Sequence, residues 1–128
     1  MSYRVPIPIN EPIRSYAPGT PERQPLKDRL SAMSAEKIEI PVVIGGKEIR
    51  TGNTGTQVMP HRHGHVIATW HKAGAKEVEQ AIKAAAEARR EWASWNFEDR
   101  ASIFLCAAEL MANTWRDTTN AATMLNQS

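Results

Sequence analysis

The sequence predicts an α+β chain: an extended arm, a short helix, a β-hairpin with further strands, then three helices. Three observations predict it. Pro6, Pro8, Pro12 and Pro18 crowd residues 1–20, forbidding a helix there and removing ladder donors. Residues 38–71 are β-branched runs punctuated by glycine. Residues 75–128 contain no Gly and no Pro and are rich in Ala, Glu, Arg and Leu, as packed helices require. The chain is accordingly divided into an arm (1–20), a helix-plus-strand region (21–74) and a helical region (75–128).

In chain order, the arm has little core of its own and is expected to lie on another surface. Thr20-Pro21-Glu22-Arg23 reads as a helix start. Thr20 is the expected N-cap, Pro21 takes the first helical position, and Glu22 sits near the positive end of the dipole. Leu26, Leu30 and Met33 give that helix one apolar stripe. Ile38-Glu39-Ile40 and Val42-Val43-Ile44 read as strand, and Gly45-Gly46 is a two-residue hairpin signal with Lys47 to Thr51 returning. Gly52, Asn53 and Gly55 predict a loop. Gln57 to Met59 and His65 to His71 predict two more strands, separated by Pro60 and Gly64, with Gly74 ending the strand region.

The first long helix is predicted over Ala75 to Ala93. Val78, Ala81, Ile82, Ala85 and Trp92 recur on one face at three- and four-residue spacing. Ala81, Ala84, Ala85 and Ala88 allow another element to approach closely. Asn96 is the expected N-cap of the second helix, with Asp99 reaching back in a capping box, and the helix runs to about Asn113 or Trp115. Its apolar face is Ile103, Ala107, Leu110 and Met111, widened by Phe104 and Trp115. Asp117 to Gln127 is the third helix. These faces need a cover, and the chain holds little with which to cover them.

At 128 residues with 41% hydrophobic content, the chain is long enough for one small core. A net charge of +2 without a basic block argues against nucleic acid as partner. A single Cys excludes an internal disulfide framework and suits a reducing compartment. No apolar run approaches the roughly 20 residues of a membrane span. Residues 1–10 lack the marks of a signal or transit peptide. The expectation is a cytoplasmic protein, or one of the mitochondrial matrix if a leader has been removed.

Candidate chemistry is sparse. His61, His63 and His65 alternate, with His71 further on, and imidazoles at i, i+2 on a strand could share a metal. No Cys or carboxylate nearby in sequence completes such a site, and the plainer reading is hydrogen-bonded loop and strand histidines. Cys106 lies mid-helix among apolar residues with no cation or base in view, so core packing is its expected role. Gly45-Gly46 and Gly52-x-x-Gly55 lack the spacing of a phosphate loop. Trp92, Trp95 and Trp115 read as core or interface anchors rather than base-stacking platforms.

The order of parts resembles a known family. The marks are Asn10-Glu11-Pro12, then Gly19-Thr20-Pro21-Glu22-Arg23, then the hairpin Val42 to Glu48. Met59-Pro60-His61, His63-Gly64-His65, Val66-Ile67-Ala68 and Ala81-Ile82-Lys83-Ala84-Ala85 follow. Ala85-Ala86 through Arg89 to Glu91-Trp92, Asp99-Arg100-Ala101 running on to Leu105, and Met124 to Ser128 complete them. In this order they resemble the N-terminal segment of the aldehyde dehydrogenase superfamily, and within it the branch acting on L-glutamate γ-semialdehyde. The resemblance implies an α/β parent enzyme with a Rossmann-type NAD domain, oxidising that aldehyde to L-glutamate in proline degradation. In the family a Cys thiolate attacks the aldehyde, hydride passes to NAD, and a Glu-activated water releases the acid. Those residues lie beyond the equivalent of Ser128. No catalytic, cofactor-binding or metal residue is therefore assigned here, and Cys106 is outside the nucleophile's motif. The chain is expected to be an inactive N-terminal fragment that binds no NAD alone. Its expected partner is the rest of the dehydrogenase subunit, in a homo-oligomeric enzyme without nucleic-acid or membrane partners. With Met1 opening it, the chain looks like the single-function enzyme rather than the fusion with proline dehydrogenase. A free-standing interaction module derived from the enzyme, and a His-cluster metal-binding protein, are the other readings.

Overall fold

A computed structural model describes residues 5–127, so Met1 to Arg4 of the arm and Ser128 lie outside the described residues. The elements are α1 (Arg23–Ala35), β1 (Ile38–Ile40), β2 (Val42–Ile44), β3 (Lys47–Ile49), β4 (Thr54–Met59), β5 (Arg62–His71), α2 (Ala75–Ser94), α3 (Phe97–Ala112) and α4 (Arg116–Gln127). β1, β5 and β4 form one sheet in that order, with β1 parallel and β4 antiparallel to β5, while β2 and β3 form a separate hairpin.

Local chemistry explains most boundaries. Gly45 (φ 56°) and Gly46 (φ 75°) both take the left-handed conformation that a type I′ hairpin turn needs. The hairpin rests on the Ala-rich face of α2, where a Cβ at Gly45 would lie 3.7 Å from the Ala84 Cβ. Gly55 faces Trp70 across the sheet, and a Cβ there would meet the indole at 2.6 Å. α2 starts at Gly74, whose N–H donates to the Glu77 carboxylate (2.8 Å). α3 starts at Asn96, whose Oδ1 accepts from the Asp99 N–H (2.9 Å), the expected N-cap, but the Asp99 carboxylate does not reach back to complete the expected capping box.

Three expectations are corrected. Gly55 is not in a loop: it lies within β4, which starts at Thr54 rather than Gln57 and pairs Gly55 with Trp70. Thr20 is not an N-cap. Its N–H and hydroxyl both donate to the Ala17 carbonyl, closing a turn through Pro18 and Gly19 (φ 87°). The helix therefore starts two residues later, at Arg23, and the Glu22 carboxylate accepts from the Tyr16 N–H. Gly64 does not separate two strands. It lies inside β5, where one step on β4 (Val58 to Met59) is matched by four on β5 (Val66 to Arg62), so it marks an irregularity in the ladder rather than a turn. The turn is at Pro60 and His61.

The core lies between α1, α4 and the β4–β5 sheet. Met59, Ile67 and Leu125 are its buried centre, with Leu30 and Met33 packed against them. Ala121, with no exposed surface, lets α4 sit close. Arg29 Nε donates to Thr118 Oγ1 (3.1 Å) between the two helices. The arm is fixed by the same helix: Arg116, buried, donates to the Pro12 carbonyl (2.9 Å) and faces Glu11, and Asn120 donates to the Tyr16 hydroxyl (3.0 Å). Neither α2 nor α3 contributes a buried residue.

Candidate functional site

The polar residues make one connected group, between β1, β3 and the end of β5. The His71 side chain is only 5% exposed. Its Nδ1 accepts from the Gly52 N–H (3.2 Å), a group that can only donate, so the ring proton sits on Nε2. That N–H reaches the Glu39 carboxylate at 2.9 Å. Arg50 Nε donates to the other Glu39 oxygen (3.1 Å), and its Nη1 to Glu48 (3.0 Å). The His71 bond first, and Arg50 second, hold the Glu39 carboxyl below its usual 4.5, while Glu39 and then Glu48 raise Arg50. A carboxylate whose pKa is depressed on folding contributes stability above its unfolded value, and loses it as pH falls through the folded value. We expect a Glu39 side-chain carboxyl NMR titration to show a midpoint below 4.5, returning towards it in His71→Asn. A wild-type midpoint at or above 4.5 contradicts the geometry.

This group ties β1, the segment after β3 and the end of β5 together. Among the described residues, no three His, Cys, Asp or Glu gather where they could hold a metal ion. The four histidines do not converge. His65 Nε2 binds the Ser34 carbonyl (2.7 Å), His71 is engaged as above, and His61 and His63 are exposed at the β4–β5 end. The irregular ladder there breaks the one-sided alternation that would have aligned them.

Cys106 is exposed, which corrects the expectation of a buried role: its face of α3 has no element packed on it. Trp92, Trp95 and Trp115 are exposed too. Trp92 stands 5.7 Å from Trp95 and 6.3 Å, edge-on, from Phe104. Val5, Trp92, Phe97, Arg100, Phe104 and Leu105 line an open groove of about 580 Å³. The Arg100 Nε beside it is buried and has no hydrogen-bond partner. The surface around this groove is thus apolar.

The helix starts are poorly suited to a dinucleotide. A pyrophosphate favours a glycine turn whose free N–H groups open a helix. Here the Gly74 N–H is taken by Glu77, α3 opens with Glu98 and Asp99, and α4 carries Asp117 in its first turn. The starts of α2, α3 and α4 thus already hold negative charge, which is unfavourable for a pyrophosphate at those three places. Among them, no helix is long and apolar enough to cross a membrane.

Residues 49–127 match the aldehyde dehydrogenase family. The mitochondrial Δ1-pyrroline-5-carboxylate dehydrogenase of Emericella nidulans is 43% identical over 98% of this chain, which covers 22% of that protein. The crystal structure of the Δ-pyrroline-5-carboxylate dehydrogenase from Mycobacterium tuberculosis superposes over the whole chain and 24% of its own, with 40% identity and a TM-score of 0.95. A structure of that enzyme bound with NAD gives 39% identity and a TM-score of 0.93 over 98% of this chain, again 24% of its own. The chain thus spans about a quarter of the length of the proteins it matches.

Proposed function

The chain belongs to the aldehyde dehydrogenase family, and from that premise we propose that it forms one quarter of an NAD-dependent dehydrogenase oxidising L-glutamate γ-semialdehyde, derived from Δ1-pyrroline-5-carboxylate, to L-glutamate. The observation that carries this reading is the superposition at a TM-score of 0.95 and 40% identity on an enzyme of that name. Oxidising an aldehyde to an acid takes a hydride acceptor, a nucleophile and a base. Cys106 has no hydrogen-bond or ion-pair partner among the described residues, and the starts of α2, α3 and α4 are acidic. The chemistry therefore belongs to the other three quarters of the enzyme, and this chain contributes scaffold: the arm, the hairpin and the helices. NAD is the cofactor of the assembled enzyme, which we take to be a homo-oligomer with the arm (1–20), strand region (21–74) and helices (75–128) as parts of each subunit. Its compartment on this reading is the cytoplasm or the mitochondrial matrix; the Emericella relative's name says mitochondrial.

The test is a chimera in which this chain replaces the matched quarter of the Mycobacterium tuberculosis enzyme. NADH formation from the semialdehyde should stay within about tenfold of the parent, or 1.4 kcal/mol of barrier. A folded chimera without activity rejects the reading. Isolated chain should give no heat with NAD, and a micromolar dissociation constant by calorimetry would place the cofactor site here after all.

A further inference from the structure

We propose that His71 and Glu39 form a proton-sensitive clasp at the base of the β2–β3 hairpin, closed while the His71 ring is neutral and opened at Gly52 when Nδ1 takes a proton.

The hairpin has few other attachments. β2 and β3 form their own ladder, separate from the three-stranded sheet. At the tip, Gly45 rests on the α2 alanine face, where a Cβ would lie 3.7 Å from the Ala84 Cβ. At the base, side chains join the two legs. Glu39 on β1 leads into the hairpin and Arg50 leads out of it. Arg50 Nε donates to Glu39 Oε2 at 3.1 Å, and its Nη1 to Glu48 Oε2 at 3.0 Å. His71, at the end of β5, fastens both legs to the sheet. Its Nε2 donates to Glu39 Oε1 (2.9 Å), and its Nδ1 accepts from the Gly52 N–H (3.2 Å).

These two bonds make different demands of one ring. The first needs a proton on Nε2, the second a lone pair on Nδ1, and only the neutral Nε2–H tautomer has both. Imidazole is the side chain whose charge ordinarily changes near neutrality. A proton arriving at Nδ1 sets one N–H against another across the 3.2 Å contact, while the Glu39 bond becomes a charge-assisted ion pair and persists. The leg that gives way is therefore the outgoing one. The charges around the ring point the same way. Glu39, its carboxyl held low by His71 first and Arg50 second, stays ionised and keeps the imidazolium. Arg50, on the other Glu39 oxygen and backed by Glu48, becomes a second cation on the same carboxylate. Lys72, the next residue, turns its ammonium over the Trp70 ring at 5.5 Å.

Opening is cheap and limited in extent. Gly52 is exposed, so water takes up the freed N–H. Its φ of 78° marks a position where glycine gives the backbone room to turn. The outgoing leg is then held by Arg50 and by the Thr51 hydroxyl, which donates to the Lys72 carbonyl (3.0 Å), both at exposed positions. Further on, the Lys72 N–H keeps the Asn53 carbonyl (2.7 Å), so the three-stranded sheet stays closed.

The test is an NMR titration of the full chain from about pH 8 to about pH 5, the range in which imidazoles change charge. At the upper end the His71 ring-nitrogen signals should show a protonated Nε2 and a bare Nδ1. On acidification the Gly52 amide proton should move upfield with the same midpoint as the His71 ring, while the Ala121 and Leu125 amides stay in place. Spin labels at Lys47→Cys and Glu87→Cys, with Cys106→Ser, should report a hairpin-to-α2 distance that is narrowly distributed before the transition and broad after it. His71→Asn keeps an acceptor near the Nδ1 position and cannot take the proton, so both responses should vanish. Where that variant fails to fold, the wild-type Gly52 and His71 signals decide alone. A Gly52 amide indifferent to His71 protonation overturns the clasp, as does an Nδ1–H tautomer at the upper end. Unchanged label distances, or a response that survives in His71→Asn, overturn it too. Core amides moving together with Gly52 would mean general acid unfolding in its place, which also overturns it.

Discussion

Leu125→Ala should remove the cooperative thermal transition of this chain, followed by circular dichroism. Truncating a buried Leu costs about 2–5 kcal/mol, through lost transfer energy and the cavity left behind. Whole domains are stable by only about 5–15 kcal/mol. Here the buried centre is Met59, Ile67 and Leu125, backed by Leu30 and Met33, so one truncation removes a large part of what joins α4 to α1 and the sheet. The comparison that gives the result meaning is Val78→Ala on α2. Its side chain is 51% exposed, and the change should move stability by no more than about 0.5 kcal/mol. Equal effects from the two substitutions would mean that the core is not where the buried residues put it.

The legible parts of the fold are those whose cause lies within a few residues. Gly45-Gly46 could be read as a hairpin because adjacent positive φ values are strained for other residues. Asn96 could be read as a cap because its partner, Asp99, is three residues on. The limits of α2 and α4 followed, to within a residue or so, from residue type and spacing alone. What could not be read depends on partners far along the chain. The Glu39–His71 bond joins residues 32 apart, and Arg116 reaches the Pro12 carbonyl across 104. Thr20 lost its cap role to a turn formed with the preceding Pro18-Gly19, a competing local signal present in the sequence but not weighed. Gly64 carried a signal too, since an isolated glycine within a strand pattern marks an irregularity as readily as a turn. The exposure of Cys106 followed from the question already raised about α3, namely whether anything covers its apolar face. The site itself offered no motif, because an apolar surface awaiting a partner has the same residue pattern as a core.

Hydrogen exchange of the isolated chain should divide these helices sharply. α2 is a 20-residue helix with no buried residue, held within the chain mainly through its alanine face against the β2–β3 hairpin. α3 likewise buries nothing, and its aromatic contacts are with the neighbouring end of α2. Local opening is cheapest where few apolar contacts are lost. Amides of α2 and α3 should therefore exchange at least about a hundredfold faster than those of β5 and α4, a gap of about 2.8 kcal/mol at 1.4 per decade. In the chimera the gap should close, because covering the apolar faces adds to α2 and α3 the contacts they lack and adds little to elements already packed on the core. If the isolated chain protected all its helices equally, the apolar faces would have to be covered by some arrangement of the chain itself. The exposure of Val78, Ile82, Ile103 and Phe104 would then describe no state that persists in solution, and the need for a partner would disappear with it.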